Sequence, residues 1–111
     1  FMILASMQFR VFKNSGDVGA SIELQRNISG GAYSSLYMDG NDYAMGYCST
    51  VVNNLEMSYR APLHILDSPS VSSGTTLSYK IRGRNRGGSN AVHFQDDDFY
   101  MSSLTILEIA A

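Results

Sequence analysis

Lys80, Arg82, Arg84 and Arg86 recur at every second position. On a β-strand such residues share one face. A row of cations on one face could hold phosphate, sulfate or an acidic glycan, because guanidinium groups match oxyanions through paired hydrogen bonds. The plainer reading is a solvated face that discourages edge pairing. Arg84 and Arg86 are expected at the hairpin loop, which shortens the row. Opposite in charge is Asp96-Asp97-Asp98. With Asp39 or Asp42 it could offer carboxylate oxygens to a hard cation. Three consecutive acids do not converge on one ion without contortion, and the spacing is not that of an EF-hand, so a solvated loop is expected and no metal site is assigned.

The remaining reactive side chains are few. His64 and His93 are the two histidines and Cys48 is the one cysteine. One cysteine excludes an intramolecular disulfide and a four-cysteine metal site. Neither histidine lies near Cys48 in sequence, and no nucleophile elbow is present. Both are read as structural histidines, and Cys48 as a small buried residue. The chain is expected to be neither an enzyme nor a cofactor protein.

Tyrosine is the largest aromatic class, with seven residues and no tryptophan beside them. It gives wide contact area and a polar tip at low entropic cost, which suits binding loops. Tyr33, Tyr37, Asp39, Asn41, Asp42 and Tyr43 form a segment rich in Tyr, Ser, Gly, Asn and Asp, the first choice for a recognition surface. Ordinary core and hairpin tyrosines are the alternative.

The elements that must position these groups are strands. The chain has 111 residues, enough for one domain over 1–111 with a core of its own. Hydrophobic residues reach 44%, while charged ones are 16%, below the usual quarter. The net charge of -2 argues against nucleic acid. No apolar run approaches the ~20 residues of a membrane span. The first residue is Phe rather than Met, as expected of a fragment or a processed product. No long window keeps a helical repeat. Short alternating runs bounded by Gly, Asn, Asp and Ser recur instead: Met2 to Phe12, Ala20 to Ile28, Leu36 to Met38, Tyr43 to Val52, Leu55 to Leu66, Thr75 to Arg84, Ala91 to Phe94 and Ser103 to Ile109. Asn14 to Asp17, Asn53-Asn54 and Arg86 to Asn90 read as turns. This is the pattern of an all-β antiparallel sandwich or barrel.

The second half carries a resemblance. Asp67-Ser68-Pro69, a Ser/Thr-Gly stretch, Thr76-Leu77-Ser78-Tyr79-Lys80-Ile81, a Gly-Gly hairpin to Ala91-Val92-His93-Phe94, and Ser102 to Ile109 resemble the C-terminal domain of tailed-bacteriophage fibre, spike and decoration proteins. The resemblance is clearest over residues 67–109. It implies a C1q/TNF-like jelly roll, a homotrimer, a place in the virion after assembly in the host cytoplasm, contact with other virion proteins, and attachment to a host-surface glycan or protein. The alternative is a non-catalytic, lectin-like carbohydrate-binding module. Where the family often has an Asn-rich segment, this chain has Gln95-Asp96-Asp97-Asp98.

The last strand points to assembly on its own. Leu104 and Ile106 fall on one face, Leu107 and Ile109 on the other, and a strand apolar on both faces calls for cover on both. The opening Ile3 and Leu4 have the same character. The terminal strands are therefore expected to be neighbours and, with Glu108, to line a symmetric interface. Glu108 is expected to be buried there, paired with Arg10 or Arg26, since an unpaired buried carboxylate costs several kcal/mol.

Overall fold

A computed structural model describes residues 1–38, 46–48, 54–86, 90–95 and 101–109. Eight strands and no helix lie among them: β1 (Met2–Lys13), β2 (Val18–Ile28), β3 (Ser34–Met38), β4 (Gly46–Cys48), β5 (Leu55–Leu66), β6 (Leu77–Arg86), β7 (Ala91–Phe94) and β8 (Ser103–Leu107). They form two antiparallel four-stranded sheets, consistent with a β-sandwich.

Both sheets are built alike. In sheet A, β1 is central, with β5 along one edge. Its other edge is shared end to end by β8, opposite Met2–Ser6, and β7, opposite Phe9–Phe12. In sheet B, β2 is central, with β6 along one edge and β3 and β4 sharing the other. Only two residues of β1, Met7 and Gln8, separate the segments paired with its two short partners. At Gln8 the junction is closed by Ser102 Oγ, which accepts from the Gln8 amide at 3.1 Å, and by the Gln95 amide, which donates to the Gln8 carbonyl at 3.1 Å.

The alternation in β1 and β2 decides which faces meet. Ile3, Ala5, Phe9 and Val11 point inward from β1, and Val18, Ala20, Ile22 and Leu24 from β2, all buried. Ala61 and Leu63 of β5 join them. Burying each large aliphatic or aromatic side chain contributes about 1.5–3 kcal/mol. Phe9 stacks on Tyr59 at 5.4 Å and meets Phe94 at 5.8 Å, so aromatic rings from three strands fill the middle of sheet A's inner face. β5 accommodates Pro62 because it is an edge strand, where a missing N–H leaves no ladder bond unmade.

Turn chemistry follows the expected residues. Gly16 closes the β1–β2 turn at φ 68°, in the left-handed region. Asn27 ends β2 by accepting from the Gly30 amide at 2.8 Å and donating to the Gly31 carbonyl. That side chain is buried and engaged on both ends. The expected turn at Asn53-Asn54 is described at Asn54, which has φ 57°; Asn53 and most of the expected strand from Tyr43 to Val52 lie outside the described residues.

Two expectations are corrected. Arg84 stands within β6, paired with Ser21, rather than in a loop. The regular pairing of β6 with β2 carries the strand on through Arg86. Glu108 follows β8 and is exposed. β8 pairs with β1 alone among the described strands, and its residues are exposed, so the carboxylate keeps its water. Its expected partners are taken: Arg10 meets Glu56 at 3.2 Å and Arg26 meets Asp67 at 2.5 Å.

Candidate functional site

The outer face of sheet B gathers the basic residues. In an antiparallel pair, directly opposed residues point to the same side. β6 sets Lys80 opposite Gln25, Arg82 opposite Glu23 and Arg84 opposite Ser21. All three cations thus stand on the outer face, about 7 Å apart along the strand. Ser21 and Gln25 are nearly buried although they point outward. Their strand is central, and the long basic side chains beside them cover their stems and backbone.

One carboxylate stands among these cations. Glu23 is held below the usual carboxylate range, chiefly by a hydrogen bond from the Gln25 side chain, then by Ser35, Arg82 and Arg84, against an opposing penalty from burial. Arg82 approaches it only to 3.8 Å and remains 59% exposed. Among the described residues, Lys80, Arg82 and Arg84 thus share this face with the Glu23 carboxylate. Ser21, Glu23, Arg82 and Arg84 line a shallow depression of about 290 Å³ here.

Tyr33, just before β3, supplies an aromatic ring. The Lys80 ammonium sits 3.7 Å from its centroid, a cation–π contact that fixes both side chains at the rim of the basic row. Tyr33 is 41% exposed. Tyr37 goes elsewhere: it lies opposite Leu24 and packs against the core. Asp39, Asn41, Asp42, Tyr43 and Asp96-Asp97-Asp98 lie outside the described residues.

A second surface follows the terminal strands, which do pair: Met2 with Leu107, Ile3 with Ile106, and Ala5 with Leu104. Ile3 is fully buried in the core, so it lines no outer surface. Leu104, Ile106, Leu107 and Ile109 are each at least 40% exposed. Leu104 and Ile106 point inward like Ile3 and Ala5, but they occupy the sheet's edge. On the outer side Leu66, Met2 and Leu107 form an apolar row across β5, β1 and β8. Leu4 lies in the next row, beside His64 and Thr105.

The histidines stay apart from this chemistry. His64 is exposed opposite Leu4, and the His93 ring packs 4.8 Å from Phe12. Among the described residues no three of His, Cys, Asp and Glu converge as a metal site.

Three side-chain roles in the structure had no counterpart among the sequence expectations. Asp67 is buried at the junction of both sheets, accepting from Arg26 Nη1 at 2.5 Å and from the Tyr79 hydroxyl at 2.8 Å. Burial, then the bond to Asp67, pushes the Tyr79 phenol up to about 12. The available signal was Arg26 itself, a cation on the inward face behind Ile22 and Leu24, which demands an anion. Asn90 is buried against the β1–β2 turn and uses both ends of its amide there. Gln8 is buried on the outer face of β1 with neither amide end hydrogen-bonded among the described residues.

No protein-family model matches this chain, and no curated protein or solved structure matches it. The functional reading therefore rests on the two surfaces.

Proposed function

We propose that this domain is a non-catalytic virion module, the jelly-roll head of a phage fibre, spike or capsid decoration, which assembles as a trimer and attaches to a host surface. The observation that carries the assembly half is β8. It is an edge strand whose apolar residues are exposed on both faces, and its Ser103–Leu107 segment holds neither lysine nor proline to blunt pairing. A copy seated on Leu104, Ile106, Leu107 and Ile109 would remove that surface from water. The jelly-roll assignment is supported by eight described strands in two four-stranded sheets and by the pairing of β1 with β8.

Analytical ultracentrifugation at micromolar concentration tests this reading. A trimer is expected, dissociating when Leu107 and Ile109 are both replaced by Lys. A single boundary at monomer mass for the unaltered chain would overturn it. The outer face of sheet B, where Tyr33, Lys80 and Arg82 are exposed or half-exposed beside polar side chains, favours a second reading, a lectin-like module acting as a monomer.

A further inference from the structure

We infer that the outer face of sheet B binds a linear acidic polysaccharide, its carboxylate or sulfate groups seated along Lys80, Arg82 and Arg84. This deepens the attachment half of the proposed function and rests on it for biological meaning, but the site itself needs no assembly.

The strand supplies the geometry. Alternate residues place the cations at a regular interval of about 7 Å on a flat surface. A compact anion would engage one or two of them; a chain bearing repeated anions engages all three. Guanidinium forks donate to carboxylate or sulfate oxygens two at a time. Arg82 is well placed to do so, since its link to Glu23 is long and its side chain is mostly exposed. Ser21 and Gln25 lie directly beside the cations on the same face. Tyr33 presents an exposed ring at the end of the row, oriented by Lys80, and sugar faces pack on such rings. Nucleic acid is the other extended polyanion. Among the described residues this face offers one ring, Tyr33, rather than the series of stacking platforms that successive bases require, so it fits nucleic acid poorly.

Glu23 gives the inference a distinctive consequence. Its carboxylate is ionised and stands inside the row, so it competes with an incoming anion. Its removal should tighten binding, whereas a purely structural role would predict no gain.

The test is binding of the whole chain to polygalacturonate, dextran sulfate, neutral dextran and an oligothymidylate, by calorimetry at low and high salt. Binding to polygalacturonate or dextran sulfate is expected, weakening with salt, with no binding to neutral dextran. The carboxylate and sulfate arms identify which group is preferred. Arg82→Ala with Arg84→Ala should weaken binding at least about tenfold. Glu23→Gln should strengthen it. If the double variant fails to fold, Arg82→Gln alone replaces it, with circular dichroism as the check. Absence of binding to both acidic polymers, affinity unchanged in the arginine variants, or equal or tighter binding of oligothymidylate would overturn the inference. Sedimentation of the same samples separates the two proposals. A trimer that binds neither polymer removes the site and leaves assembly; a monomer that binds removes assembly and leaves the site.

Discussion

The Phe94 ring lies against Gly83 so closely that a β-carbon at Gly83 would stand 2.5 Å from both Cε2 and Cζ. Gly83 is thus the point where β6 of one sheet receives a side chain from β7 of the other. Gly83→Ala is expected to cost about 1–3 kcal/mol, because the ring must tilt away from Phe9 to make room. Phe94→Leu in the same chain should recover part of the loss. Urea denaturation of the four-member mutant cycle measures this. Strictly additive effects would show that the two residues do not share the space.

The Arg26–Asp67 pair clamps β2 to the end of β5, with both side chains largely buried. Removing one partner leaves a buried charge alone. Asp67→Ala should therefore destabilise the fold by about 3–5 kcal/mol. A loss under about 1 kcal/mol, measured by denaturant midpoint, would class the pair with exposed ion pairs.

Tyr79 links this clamp to alkaline pH. Below pH 10 its phenol is neutral in folded and unfolded chains alike, and its stabilising effect is complete. Between pH 10 and about 12 the unfolded chain loses the proton while the folded one keeps it, so stability falls as pH rises. Tyr79→Phe should flatten that part of the profile. Comparing denaturant midpoints below pH 10 and near pH 12 for both proteins checks it. Equal slopes would contradict the assignment.

Asn90 holds the turn between β1 and β2 through its side chain. Its Oδ1 accepts from the amides of Asn14 at 2.7 Å and Ser15 at 3.2 Å. Its Nδ2 donates to the carbonyls of Ser15 and Asp17, both at 2.9 Å. Asn90→Ala should cost roughly 1–3 kcal/mol. Asn90→Asp should be at least as harmful, because a carboxylate oxygen would replace the donor facing two carbonyls. Hydrogen exchange at the Asn14 and Ser15 amides should accelerate in both variants. Unchanged exchange would mean that the turn holds itself.

Much of the strand pattern was legible because it is local. The alternation from Met7 to Val11 and from Ile22 to Leu24 requires only that one face be apolar, and the structure buries those faces. The basic row was readable for the same reason, since strand geometry alone aligns Lys80, Arg82 and Arg84. Partners were not readable. Asp67 reads locally as a turn residue, and its role depends on Arg26, 41 residues away. Glu108 looked buried because its neighbours are apolar, yet apolar neighbours on an edge strand can all remain exposed. Tyr37 reads as part of a recognition surface, and the register with Leu24 turns it inward. Gly83 gave no sign of its role, because only the opposing sheet reveals which ring needs the space.

The end-to-end sharing of β1 by β7 and β8 has a kinetic consequence. β3 can dock on β2 after a short turn, so part of sheet B can form early. β1 must wait for residues 55–66, 91–94 and 103–107, and closing such long loops before any contact is gained makes folding slow. During that delay the backbone of Met2–Ser6 lacks the strand that later covers it, and another chain can take the place of β8. Refolding yield should therefore fall steeply with protein concentration, and exchange of β8 between chains would be the characteristic error.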